Sequence, residues 1–386
     1  MIRRRDGVAT AFAAVSVLAF LPVTLRYGRA FQPDALMLGA ILAGANCLDL
    51  AFDGRGRWWF VPGWFLLAHG LACKIIAGFV LVPLALVVLR PRTTARMLIL
   101  GTSLLPAVLW YAWAFHVVES GSGSRASADN RAIWLAVVGF TGLAKRETLL
   151  HIGRFFLVRA FTPLGLVLAV WGLFQREGRN QERIDLWQVW GLAGLVTLAL
   201  LAEKLHHEYY WLVLAPVVAA GLGRALVRLA VRDRRLAAAV AFGLLVMSAV
   251  LTRSTWQTPS EWKDLESAAR CVQEVVPGDV WLVAPEPLLF QADRRGCRLE
   301  FTGQASRRAA AEWGEAEPPD IRDPLDLIEF YRRRGARFVA DVGAGEGDNR
   351  RSALHEGIRR SYKVVVDRAS ILIAELNPPE SPAHVE

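Results

Sequence analysis

Arg29-Ala-Phe-Gln-Pro-Asp34 separates two long apolar runs, and its reading decides how the rest of the chain is laid out. Proline at 33 starts a helix well, because its missing N–H is one the first turn leaves unbonded. Asp34 then falls in the first turn, where the helix dipole favours a carboxylate. Taken locally, this is a helix start with a snorkelling Arg29 beside it. Its setting adds a second reading. Charges at the edge of a hydrocarbon layer are costly, and they mark substrate or ion paths.

The apolar runs on either side of this stretch belong to a larger set. The 386-residue chain is 54% hydrophobic, with mean hydropathy +0.30 and 14 Trp, too apolar for an ordinary soluble protein. Residues 1–252 carry 26 Lys+Arg and 13 Asp+Glu, a formal +13, whereas residues 253–386 carry 19 and 23, a formal −4. The basic charge therefore belongs to the apolar part, where topology explains it, and nucleic-acid binding is not indicated.

A spanning helix needs roughly 20 apolar residues. Nine runs are candidates: 8–25, 35–52, 58–72, 75–89, 97–117, 161–174, 186–202, 211–229 and 236–252. The third, fourth and sixth are short and fit only inside a packed bundle. The first lacks a small-residue cleavage site and is followed at once by more apolar runs, so it reads as a span and not a signal peptide. With the N-terminus inside, the inner segments 1–7, 53–57, 90–96, 175–185 and 224–235 hold 16 Arg in 42 residues. The outer segments 26–33, Lys74, 118–160 and 203–210 hold 10 Lys+Arg in 60. That asymmetry obeys the positive-inside rule and puts the tail beyond Arg253 outside the cytoplasm.

The tail is a different kind of sequence. Helical spacing over Glu261–Val275, Asp323–Arg334 and Arg350–Arg360 alternates with strand runs at Val280–Ala284 and Arg337–Asp341. Tyr362–Asp367 and Ser370–Leu376 form a terminal hairpin turning at Arg368-Ala369. Together these predict a small α/β domain over 253–378, with 379–386 disordered. Cys47 and Cys73 lie in apolar runs as small hydrophobes. Cys271 and Cys297 are able to pair only in an oxidising compartment. Asp341-Val-Gly-Ala-Gly-Glu-Gly347 reads as a glycine-rich turn after a strand; too little chain follows it for a cofactor-binding doubly wound sheet.

Three outer segments collect the unusual residues. Lys74 interrupts an apolar run, where it either snorkels to headgroups or pairs with a phosphate beside Asp34. Glu203-Lys-Leu-His-His-Glu-Tyr-Tyr210 is dense in ionisable and aromatic groups. An aromatic belt accounts for Tyr209 and Tyr210 but not for His206, His207 and Glu208. The segments Ile133–Phe140 and Leu149–Phe156, around Lys145, Arg146, His151 and Arg154, suit helices lying in the interface plane. No HExxH, GxSxG, Walker or CxxC pattern occurs.

In order and sidedness these segments resemble the GT-C superfamily, the polytopic lipid-dependent glycosyltransferases of the protein mannosyltransferase and aminoarabinose transferase type. The likeness is carried by Tyr27-Gly-Arg-Ala-Phe-Gln-Pro-Asp34, by Gly70-Leu-Ala-Cys-Lys74-Ile-Ile-Ala, and by His207-Glu-Tyr-Tyr-Trp-Leu-Val-Leu-Ala-Pro216. Leu289-Phe-Gln-Ala-Asp-Arg-Arg-Gly296 is similar to a segment in the soluble tail of some members. The resemblance implies transfer of a sugar from a polyprenyl-phosphate carrier to an acceptor outside the membrane. It casts Asp34 and Glu208 as catalytic carboxylates, and Arg29, Lys74, His206, His207, Tyr209 and Tyr210 as substrate contacts. Many members use a divalent metal, for which Asp34 and His207 would be ligands. The family's main catalytic carboxylate lies in an earlier outer loop that this chain does not match. The expectation is an N-terminally truncated member, or one that relies on Glu147 or Glu208. The expected architecture is a mainly α polytopic bundle of about nine spans with an extracytoplasmic α/β domain. A transporter of lipid-linked sugars and a non-catalytic membrane partner are the other classes.

Overall fold

The computed structural model describes residues 1–28, 33–88, 93–120, 138–139, 141–175, 185–205, 207–257, 264–300, 309, 313, 320–343, 349–369 and 371–376. The expectations for Arg29, His206, the loop 120–129 (beyond Ser120) and the tail 379–386 lie outside them. The chain divides into two compact units, Met1–Trp256 and Gln257–Glu386.

The first unit is helical, and each apolar run falls on helical backbone. The run 8–25 is α1 (Val8–Phe20) followed by α2 (Pro22–Tyr27), broken at Leu21, whose extended ψ of 139° is what a residue before proline adopts. Then come α3 (Pro33–Phe52), α4 (Phe60–Cys73), α5 (Thr94–Thr102), α6 (Leu105–Ser120), α7 (Arg146–Arg154), α8 (Pro163–Phe174), α9 (Leu186–Leu200), α10 (Ala215–Arg232) and α11 (Arg234–Thr252). Between α4 and α5 the chain forms a 3-10 stretch, Ile75–Val80, and a π-helical turn, Leu84–Val88.

Among the described residues four helical stretches are long and apolar enough to cross a membrane unaided: Pro33–Phe52, Thr94–Val117, Glu208–Arg232 and Arg234–Trp256. A fifth results if Arg146–Ala160 and Pro163–Phe174, bent by 88°, count as one. Val8–Phe20, Ile75–Leu86 and Leu186–Leu200 are apolar but shorter. Helix length thus corroborates four or five of the nine predicted crossings. Large apolar side chains face outward as well as inward: Phe12, Val61, Phe174, Phe242 and Val250 are each more than 65% exposed. A helix that is apolar all round belongs in lipid, so this is a membrane protein.

The bundle is held by close approach. A Cβ built on Gly172 of α8 would lie 1.9 Å from the carbonyl oxygen of Gly221 in α10. One built on Gly221 would lie 2.4 Å from that of Ala169. Small residues let the two backbones touch, which is how helices gain packing energy in a lipid solvent that rewards no apolar burial. Trp190 of α9 is fully buried, and its indole N–H donates to the Val213 carbonyl at 3.0 Å, ahead of α10.

The second unit is a sheet with helices on both faces. Its strands are β1 (Trp281–Ala284), β2 (Gly296–Arg298), β3 (Ala336–Val342), β4 (Lys363–Arg368) and β5 (Ile371–Glu375), in the order β2-β1-β3-β5-β4. β1 runs parallel to β2 and β3, and β5 pairs antiparallel with β3 and β4. The helices are α12 (Leu265–Val275), α13 (Glu286–Gln291), α14 (Pro324–Arg332) and α15 (Asn349–Ser361). Alternating residues sort into two cores. Leu282, Ala340 and Ile373 pack with α12 and α13. Val283, Val339 and Ala374 pack with α14 and α15. α14 is bounded by an Asp323–Asp326 capping box and followed by Gly335 at φ +99°, start and stop signals that are local in sequence. Cys271 and Cys297 are buried free thiols in different cores.

Candidate functional site

Asp34 is 1% exposed at the start of α3. Both its oxygens accept from the Lys74 ammonium, at 2.8 and 2.7 Å. A buried carboxylate is tolerated only with such a partner. Lys74 reaches it because its own backbone is extended (φ −156°, ψ 134°) between the end of α4 and the 3-10 stretch. The ammonium also lies 4.1 Å from the ring centroid of Tyr209 and 5.0 Å from that of Tyr210. This is a cation held by one carboxylate and two aromatic faces.

Tyr209 and Tyr210 come from a 3-10 segment, Glu208–Leu214, that feeds into α10 just before Pro216. His207 stacks on Tyr209 at 5.3 Å between ring centroids, and Tyr27 meets Tyr209 edge-on at 6.0 Å. Tyr27 extends the site to a second buried carboxylate. Its hydroxyl donates to Oε2 of Glu208 at 3.2 Å, and Arg159 pairs with Oε1. Burial, reinforced by the Glu208 charge, pushes the Tyr27 phenol well above its usual range, so it remains a donor.

Asp34, Lys74, His207, Glu208, Tyr209 and Tyr210 are therefore gathered in one place. Glu147 is exposed at the start of α7. Sequence reasoning missed Arg159, which ends the π-helical turn Phe155–Ala160 before the 88° bend. A lone arginine in Phe155-Phe-Leu-Val-Arg-Ala-Phe161 is the kind of isolated charge that needs a buried partner. Tyr27 was quoted within a motif without a role.

The two expected metal ligands are engaged otherwise in this structure. Both Asp34 oxygens are committed to Lys74, and His207 is stacked on Tyr209. Among the described residues no group of three or more His, Cys, Asp or Glu is placed to hold a cation.

A membrane-embedded helical unit followed by an α/β unit is a class of fold with solved counterparts. The particular likeness is to ArnT. The chain is similar to the crystal structure of ArnT from Cupriavidus metallidurans bound to undecaprenyl phosphate, with TM-score 0.58 and 14% identity over 98% of this chain and 81% of that one. It is similar to the same protein in the apo state, with TM-score 0.56 and 14% identity over the same shares. No family model matches the chain, and no curated protein matches its sequence.

Proposed function

We propose that this chain transfers a sugar from a polyprenyl-phosphate carrier to a lipid, glycan or protein acceptor on the outer face of a bacterial inner membrane. The observation that carries this reading is the Lys74 ammonium held by Asp34 beneath Tyr209 and Tyr210. A lysine has three donors, and two are spent on Asp34. A phosphate arriving here finds a cation already desolvated and oriented. Such preorganisation is the largest source of rate enhancement when charge moves onto a leaving phosphate. The rings of Tyr209 and His207 offer a stacking surface for a sugar. Glu208, with both oxygens engaged, holds Arg159 and Tyr27 in place beside it.

The ArnT bound to undecaprenyl phosphate supports the carrier class. In this reading all nine runs cross the bilayer, the shorter ones inside the bundle, and the α/β unit lies outside the cytoplasm. Asp34 takes up the acceptor hydroxyl proton once the phosphate has drawn Lys74 away. A divalent cation at Asp34 would have to displace Lys74 first.

The test is the full chain in vesicles, given a polyprenyl-phosphate sugar, with release of free polyprenyl phosphate as the readout. Asp34→Asn abolishes release while leaving membrane insertion intact. Full release by that variant removes Asp34 from the site. Movement of the intact carrier across the vesicle with no bond cleaved overturns the enzyme reading in favour of a transporter.

A further inference from the structure

The α/β unit holds a polar cavity that glycosyl transfer does not use. Its volume is about 320 Å3, and it is lined by Gly343 after β3, by Ser352, His355 and Arg359 of α15, and by Asp367 and Arg368 at the β4–β5 turn. Its place follows from the winding of the sheet. From β1 the chain goes through α13 to β2 on one side, and from β2 back through α14 to β3 on the other side of β1. The parallel strands end along one edge. The pairing of Val342 with Ile371 brings the β4–β5 turn to that same edge. In open α/β sheets ligands bind beyond the carboxyl ends of the strands, and Gly343 on the cavity wall follows that end of β3.

The wall is built from buried charge. Asp341 is fully buried near the end of β3. Its Oδ2 meets Nε2 of His355 at 3.0 Å and forms an ion pair with Nε of Arg351 at 3.1 Å. Its Oδ1 has no hydrogen-bond partner among the described residues. His355 thus has one ring nitrogen tied to the sheet and its other edge on the cavity wall. Arg359 forms a two-point pair with Asp367, at 2.8 and 2.9 Å. Arg368, on the rim, makes no ion pair with a described residue. An arginine fork matches the oxygens of a phosphate or carboxylate, and a fixed imidazole suits a hydroxyl. The volume falls at the lower end of small-molecule sites.

We infer that this cavity binds a monosaccharide carrying an oxyanion, with Arg368 on the anionic group and His355 on a sugar hydroxyl. The inference does not depend on the transferase reading.

Calorimetric titration of the detergent-purified full chain with glucose 1-phosphate, glucuronate and glucose tests it. Saturable binding of at least one anion, at least about tenfold tighter than glucose, is expected. The tighter anion identifies the oxyanion as phosphate or carboxylate. Arg368→Ala, an exposed change, weakens that binding at least about tenfold with the melting temperature unchanged. His355→Gln weakens it as well, whereas the double variant Lys74→Met with Asp34→Asn, which removes the membrane-site charges as a pair, leaves it in place and separates it from that site. Equal affinity for all three probes, no binding of either anion by about 10 mM, or unchanged affinity in Arg368→Ala overturns the proposal.

Discussion

The two ends of α3 handle the same problem differently. Asp34 opens the helix and Asp49 lies near its close, about 22 Å away at 1.5 Å per residue. Both are at least 94% buried and both are paired. At the Asp49 end the partners are arginines, and the pairing is redundant. Asp49 is held by Arg4 and by Arg5. Nearby, Arg224 of α10 pairs with Asp6 at 2.9 Å and with Asp185 at 2.7 Å. At the Asp34 end a single lysine meets a single carboxylate, and tyrosine rings cover the rest. Guanidinium forks that share Asp49 or bridge two acids fix the packing of the chain's first residues against α3, α9 and α10. A compact ammonium with one acid can be drawn off by a stronger anion. The first arrangement closes the bundle; the second leaves a charge that a substrate can claim.

The largest effect that sharpens this contrast is at Lys74. Lys74→Met should lower release of polyprenyl phosphate by about 10²–10³-fold, the loss expected when one preorganised donor is removed. It should also destabilise the protein by about 3–5 kcal/mol, because Asp34 is left buried and unpaired. Adding Asp34→Asn should restore the thermal midpoint but not turnover. Recovery of turnover in the double variant would show that the pair is a structural clasp like the one at the other end. Lys74→Arg should fold yet turn over poorly, since a fork grips both Asp34 oxygens and does not let go.

Arg224→Ala is the matching change at the Asp49 end. It should cost about 3–5 kcal/mol in thermal or denaturant unfolding, with Asp6 and Asp185 both left unpaired. Turnover per folded molecule should stay within about threefold. Burial raises the Asp6 carboxyl above its usual range, and Arg224 opposes that shift. Without Arg224 the folded-state value rises further. A raised carboxyl contributes stability at low pH that is lost as pH climbs through its folded value. The variant should therefore regain part of its stability on acidification. A loss of turnover without a loss of stability would end the division of roles.

Gly172→Ala probes the scaffold between the two ends. A methyl group there meets the Gly221 carbonyl at 1.9 Å, so α8 and α10 must part. About 1–3 kcal/mol of destabilisation is expected from such overpacking. A thermal midpoint equal to wild type would mean that the crossing is looser than the backbones indicate.

Much of this was legible in the sequence, for reasons that differ by element. The apolar runs announced helices because lipid demands continuous hydrophobicity, and Pro33 marked the start of one of them; the break at Pro22, inside the run 8–25, did not show. Asp34, Lys74 and Glu208 stood out because a charge beside such a run has few acceptable uses. Arg159 was hidden at the end of the outer segment 118–160, where basic residues are ordinary. The number of full-length spans was not legible, since a 14-residue apolar helix and a 20-residue one differ little in composition. In the α/β unit the expected helices and strands are present to within a few residues. α13 and β2 were missed: α13 is only six residues long, and the three residues of β2 hold no apolar run. Asp341 looked like the head of a glycine-rich turn. Only the fold shows that it is buried against Arg351 and His355.

The smallest expected effect is at Tyr27, and it asks whether the two halves of the Asp34 end act together. Tyr27 donates to Glu208 and meets Tyr209 edge-on, so it bridges the carboxylate with Arg159 to the caged lysine. Tyr27→Phe keeps the ring contact and removes one hydrogen bond to a charged acceptor, worth about 1.5–3 kcal/mol at most. Arg159 still neutralises Glu208, so the stability loss should be near the lower figure. If the halves are coupled, turnover should fall about three- to tenfold while the apparent affinity for the carrier changes less, because the caged lysine is untouched. A loss confined to stability would leave Glu208 and Arg159 as a brace, and the working site would shrink to Asp34, Lys74 and the two tyrosines above them.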